Sequence, residues 1–153
     1  MKPFADTNIV IYALVPDDVR KQAVAQEILA GVAAPRPVIA TQVLAETYHV
    51  LTRRKGWKAV DAMRALRVLA ELPVVVPAAD GVLQGLELAA RHKLSGWDAL
   101  ILQAALQAGC DTLYSEDLQA GRRFDGLEVV NPFELAAHEV AAASPPARSR
   151  RRR

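Results

Sequence analysis

The chain has 153 residues, 52% hydrophobic and 24% charged. These are the proportions of one globular domain with a core of its own, and no apolar run reaches the roughly 18–20 residues of a membrane span. Its single cysteine, Cys110, excludes an internal disulfide and a multi-cysteine zinc site, while the net charge of +2 rests on five arginines between Arg148 and Arg153, without which 14 Lys and Arg face 17 Asp and Glu.

Pro3-Phe4-Ala5 reads as a first short strand ending at Asp6. Asn8 to Val15 reads as a helix stopped by Pro16, and Asp17 as the cap of a second helix reaching Ala30. Pro37 to Ala40 is a second strand. Thr41 caps a third helix running to about Arg54, with Gly56 at its C-terminal end. Lys58 to Leu72 is a fourth, amphipathic helix, with Val60, Met63, Leu66, Val68 and Leu69 on its apolar side. Val74-Val75-Val76 is β-branched and too short for a helix, so it reads as a third strand. Ala79 to His92 is a fifth helix, and Ser95 caps a sixth that reaches Ala108. Thr112 to Tyr114 and Leu127 to Val130 are the fourth and fifth strands, and Pro132 to about Ala142 is a last helix. Residues 1–142 therefore form one domain, and the Arg-rich tail at 143–153, opened by Ser144-Pro145-Pro146, is expected to be disordered. Strands alternating with helices predict an α/β fold, a three-layer α/β/α sandwich on a central, mainly parallel five-stranded sheet. No hydrophobic stretch precedes the charge at Asp6, so no signal peptide is expected; with the lone cysteine, this predicts a cytoplasmic protein.

In such sheets ligands bind beyond the carboxyl ends of the strands. Four acidic residues fall there: Asp6 after the first strand, Glu46 in the helix after the second, Asp98 at the start of the sixth helix, and Asp117 after the fourth strand. Four neighbouring carboxylates repel one another and stay ionised only around a cation or with raised pKa values. Oxygen-only ligation suits magnesium or manganese, which could activate a water and stabilise the leaving oxygen of a phosphodiester. Each residue also has a purely structural reading. Asp6 could cap a helix, Ser95 and Asp98 could form a capping box, Asp117 could serve a turn, and Glu46 could pair with an arginine. The three histidines have no metal-ligand spacing, and Cys110, beside Gly109 at a helix end, reads as a core thiol. Phosphate-cradling glycine loops and a nucleophile elbow are absent from the sequence.

Taken in order, Asp6-Thr7-Asn8-Ile9, Gln42 to Glu46, Trp97-Asp98-Ala99-Leu100-Ile101, Ser115-Glu116-Asp117-Leu118-Gln119 and Gly126 to Phe133 resemble the PIN-domain ribonucleases, from about Lys2 to Ala137. Small single-domain members are mostly VapC-type toxins of toxin–antitoxin pairs. The resemblance implies a magnesium- or manganese-dependent endoribonuclease with Asp6, Glu46, Asp98 and Asp117 as its acidic quartet. Asp6, Asp98 and Asp117 would be metal ligands, and Glu46 would bind metal or orient water. Asn8 and Ser115 would support them, and Glu116 could substitute for Asp117. It also implies a homodimer and a cognate VapB-like antitoxin whose C-terminal segment blocks the site. Arg53, Arg54, Lys55 and Lys58 could hold RNA phosphates or simply complement a helix C-terminus. Tyr12, Tyr48 and Trp57 could line a partner groove or pack in the core. A dehalogenase-type phosphatase would need an acid where Asn8 stands, and a phosphorelay receiver lacks its acceptor Asp after the third strand. A catalytically idle PIN-like scaffold binding RNA or protein is the non-enzymatic alternative.

Overall fold

A computed structural model describes residues 1–134. The last helix beyond residue 134, the domain boundary at 142 and the Arg-rich tail lie outside the described residues; residues 132–134 are helical. In chain order the elements are β1 (Pro3–Ala5), α1 (Thr7–Leu14), α2 (Val19–Ala30), β2 (Ile39–Ala40), α3 (Thr41–Arg53), α4 (Ala59–Leu69), β3 (Val74–Val75), α5 (Ala79–His92), α6 (Gly96–Gln107), β4 (Thr112–Tyr114), β5 (Arg123–Phe124) and β6 (Leu127–Val130).

The strands form a four-stranded sheet in the order β1-β4-β6-β5 and a parallel pair β2-β3. β1, β4 and β6 run parallel, with Phe4 opposite Leu113 and Leu113 opposite Val129. A parallel bridge from Phe4 to Val38 brings the smaller pair alongside β1. It is held by Ala5 N–H to Val38 O at 2.9 Å and Val38 N–H to Pro3 O at 2.8 Å. β1 is thus the turning point of the topology: the chain first winds outward through β2 and β3, then returns to its other side as β4. Beyond the carboxyl ends of β1 and β4 lies the switch point at which α/β sheets bind ligands.

The expected α/β architecture and parallel sheet are present, but the strand count differs. Arg123–Phe124 is a further strand, antiparallel to β6. Asp125 and Gly126 join them with φ of 45° and 91°, the positive values that a two-residue hairpin turn demands. Asp18, not Asp17, caps α2, its Oδ1 accepting from the Arg20 and Lys21 N–H groups at 3.0 and 3.1 Å. Thr41 opens α3 from inside the helix, and Ala40 at the cap position supplies no side-chain bond. α4 ends at Leu69 rather than Leu72, and Val76 lies outside β3. On α4 the buried side is Ala62 and Leu69, whereas Val60, Met63 and Val68 are exposed, so its apolar pattern overstates its burial.

Phe4, Ile39, Leu102, Leu113, Leu127 and Val129 are fully buried and build one continuous core across the sheet. α5 and α6 approach closely at Gly85, where a Cβ would stand 3.0 Å from Leu100 Cδ2 and 3.3 Å from Gln103 Cβ. That packing fixes the start of α6, and with it Asp98, against the rest of the domain.

Candidate active site

Asp6 follows β1 directly and starts α1 as its N-cap. It is 7% exposed, and its carboxylate is held by three donors. Thr7 N–H reaches Oδ1 at 2.6 Å; Ser115 Oγ and Asn8 Nδ2 reach Oδ2 at 2.8 and 3.1 Å. Burial penalises the charged form and pushes the Asp6 pKa up to about 6. The neighbouring charges of Asp117 and Glu46 push the same way, against the bonds from Ser115 and Thr7.

Asn8 sits one residue into α1 and joins the two strand ends. Its Nδ2 also donates to Asp117 Oδ2 at 3.1 Å, and its Oδ1 accepts the Glu116 N–H at 3.3 Å. Ser115, fully buried, shapes the turn after β4, because its Oγ accepts from the Asp117 and Leu118 N–H groups at 3.2 and 3.3 Å. Glu46 is half-buried on α3. In place of an arginine it has the Thr7 hydroxyl on Oε2 at 2.6 Å and the Gln42 amide on Oε1 at 2.9 Å. Asp98 donates its N–H to Ser95 Oγ at 3.1 Å. Among the described residues no return bond runs from Ser95 to the Asp98 carboxylate, so only half of a capping box forms.

One cleft of about 990 Å³ is lined by Asp6, Glu46, Asp98 and Asp117, with Asn8 and Glu116 beside them. No Lys or Arg bonds to these four carboxylates among the described residues. No three Asp, Glu, His or Cys side chains there already converge as ligands of one ion. Asn8, Thr7 and Gln42 occupy the carboxylate oxygens with neutral donors. The donor set nonetheless fits a hard divalent cation: it is all oxygen, crowded with like charge, and includes a buried carboxylate without a cationic partner.

A PIN domain family model matches residues 4–126. The chain belongs to the PIN-domain family. The toxin VapC20 of Mycobacterium tuberculosis, described as cleaving the sarcin-ricin loop, is 28% identical, with 76% of this chain and 90% of that one covered at a TM-score of 0.63. VapBC2 of Rickettsia felis, solved on a DNA fragment from its promoter, is 21% identical over 84% and 97% of the two chains, TM-score 0.61. A toxin–antitoxin complex from Klebsiella pneumoniae is 20% identical over 86% and 98%, TM-score 0.63. Comparison with curated protein sequences finds no match.

In this PIN domain the four acids singled out in the sequence share one cleft, and Asn8 and Ser115 contact Asp6 directly. Arg54 and Lys55 line the cleft, but Arg53 and Lys58 do not. Lys55 is engaged in an ion pair by Asp17, which lines the same cleft. Glu116 pairs with Lys21. Tyr12 lines the cleft, whereas Trp57 packs with Val15, Leu51 and Ala62 and Tyr48 is at the surface. Sequence reasoning missed Thr7, Gln42 and Lys21. Gln42 carried a signal, since it lies one helical turn before Glu46. Cys110 is buried and its thiol is pushed up to about 11 by that burial, which disfavours the nucleophilic thiolate. No helix among the described residues is long and apolar enough to cross a membrane.

Proposed function

We propose that this PIN domain is an endoribonuclease that hydrolyses RNA phosphodiester bonds and serves as the toxin of a toxin–antitoxin pair. The observation that carries the reading is the joining of Asp6 to Asp117 through Asn8, beyond the carboxyl ends of β1 and β4, with Glu46 and Asp98 on the same cleft. The similarity to VapC20, and to the toxin–antitoxin complexes, supports a toxin that cuts RNA and meets a VapB-like antitoxin. A homodimer in the cytoplasm belongs to the same reading, and so does the single domain ending near residue 142.

Asp6, Asp98 and Asp117 would hold magnesium or manganese, one or two ions. When bound, the ion supplies positive charge for the developing phosphorane and makes a water more acidic. The chain's own residues supply positioning. Thr7 N–H, Ser115 Oγ and Asn8 Nδ2 fix both oxygens of Asp6. Glu46, held by Thr7 and Gln42, is the group that would orient the attacking water and take its proton. Arg54 and Lys55 on the cleft wall would hold flanking RNA phosphates, with Arg53 and Lys58 farther out.

The test is incubation of the purified chain with total RNA in magnesium, manganese or EDTA, beside Asp6→Asn. The expected result is metal-dependent cleavage to 5′-phosphate and 3′-hydroxyl ends, lost in the variant. Cyclic 2′,3′-phosphate ends, or cleavage indifferent to EDTA, would defeat the reading.

A further inference from the structure

Lys21 stands outside the acidic cluster, yet its side chain is held from several directions. Its backbone N–H donates to Asp18 Oδ1 at 3.1 Å, fixing it in the first turn of α2. Its Nζ forms an ion pair with Glu116 and donates to Tyr12 OH at 3.0 Å. The ammonium also lies 4.6 Å from the ring centroid of Tyr12 and 5.2 Å from that of Phe133. These two rings meet edge to face with centroids 5.0 Å apart. The lysine side chain is only 27% exposed. A lone surface ion pair needs none of this support, since such pairs add little.

The partner explains the arrangement. Glu116 directly precedes Asp117, and its N–H is bound by the same Asn8 amide that holds the Asp117 carboxylate. The Glu116 side chain lines the same cleft as the four acids. It is a fifth carboxylate mounted on the segment that carries the fourth, and Lys21 is the group that engages it.

We propose that Lys21 is a positioning residue that keeps the Glu116 carboxylate out of the cluster of Asp6, Glu46, Asp98 and Asp117, and so limits the affinity of the cleft for a divalent cation. The inference rests on the proposed metal-dependent function. Carboxylate count is a main control on how tightly hard cations bind. A fifth, unneutralised carboxylate would tighten the cation and also repel an incoming polyanion. Paired with Lys21, Glu116 adds no net charge to the cleft.

Calorimetric titration of the whole chain with Mn²⁺ tests this in wild type, Lys21→Met, Glu116→Gln and the double variant, with Asp6→Asn as control. Lys21→Met should bind Mn²⁺ roughly tenfold more tightly, which is about 1.4 kcal/mol. Adding Glu116→Gln should return the affinity to within about twofold of wild type, and Glu116→Gln alone, which leaves the Lys21 charge unpaired, should bind Mn²⁺ no more tightly than wild type. Lys21→Gln serves the same purpose if the methionine variant does not fold. A merely structural ion pair would lower the melting temperature in both single variants and leave Mn²⁺ affinity unmoved. Unchanged or weaker binding in the Lys21 variants overturns the inference. So does a double variant that binds Mn²⁺ clearly more weakly than wild type, which would make Glu116 a ligand. Failure of the underlying reading looks different: wild type then takes up no more Mn²⁺ than Asp6→Asn, and both proposals fall.

Discussion

Asn8 and Asp117 lie 109 residues apart in the chain, and Asn8 Nδ2 donates to Asp117 Oδ2 at 3.1 Å. The same nitrogen reaches Asp6 Oδ2, also at 3.1 Å. An amide nitrogen carries two N–H donors and no charge, so it can serve two carboxylates at once. Asn8 thereby offsets part of the repulsion between them. Asn8→Asp replaces that donor with a third carboxylate. In EDTA the variant should lose about 1–3 kcal/mol of stability, the range for leaving buried polar groups unmatched. Urea unfolding measures it. Mn²⁺ should restore more stability to the variant than it adds to wild type, because a cation relieves the added repulsion. An Asn8→Asp protein as stable as wild type in EDTA would show that the Asn8 bridge contributes little.

Asp6 makes stability depend on pH. Its pKa stands at about 6 in the folded chain against 3.8 as the ordinary value, chiefly because burial disfavours the carboxylate. Below the ordinary value both states hold the proton, and Asp6 carries no penalty. Between the two values the folded state keeps a proton that the unfolded state has released, so stability falls as pH rises. Above the folded pKa the whole penalty applies, on the order of 3 kcal/mol. Asp6→Asn abolishes it. In EDTA the variant should be the more stable protein at pH 7 and lose its advantage toward pH 4. Urea midpoints of the two proteins across that range decide the matter. A constant difference between them would mean that the folded and unfolded pKa values coincide.

Much of the fold and of the acidic cluster was readable from the chain because both depend on local pattern. β1, α5 and β4 coincide with the expected Pro3–Ala5, Ala79–His92 and Thr112–Tyr114. Each of the four acids stands soon after a strand or in the first two turns of a helix, and a cleft at the turning point of the sheet collects such positions. β5 escaped because two residues show no periodicity, although Asp125-Gly126 is a strong hairpin signal. The outward Val60, Met63 and Val68 show that a helix pattern gives a stripe but not what covers it. Thr7, Gln42 and Lys21 gain their roles from partners on other elements or a turn away. The Thr7–Glu46 bond spans 39 residues and the Lys21–Glu116 pair spans 95. No local rule picks a hydroxyl rather than an arginine as the partner of Glu46.

Ser95 and Asp98 can be separated by experiment. Ser95 Oγ caps α6 by accepting the Asp98 N–H. Ser95→Ala should therefore cost about 1 kcal/mol of stability with or without metal. Asp98→Asn keeps that backbone N–H and removes only a carboxylate on the cleft wall. It should leave stability in EDTA unchanged or slightly higher, and it should abolish the rise in Tm on adding Mn²⁺. Thermal melts of both variants with and without Mn²⁺ test this. A large loss of stability for Asp98→Asn in EDTA would show that its carboxylate supports the helix.

Thr47 offers a gain in stability away from the acidic cluster. It is fully buried on α3, one residue after Glu46, and its Oγ1 has no hydrogen-bond partner among the described residues. The hydroxyl has been taken from water without compensation, whereas a methyl group of similar size would carry no such penalty. Thr47→Val should raise stability by about 1 kcal/mol, the lower end of the cost of an unsatisfied polar group. Thr47 does not line the cleft, so the Mn²⁺-induced rise in Tm should stay as in wild type. Urea unfolding in EDTA measures the first quantity and thermal melts the second. A loss of stability in Thr47→Val would mean that the hydroxyl is satisfied in solution by a bound water.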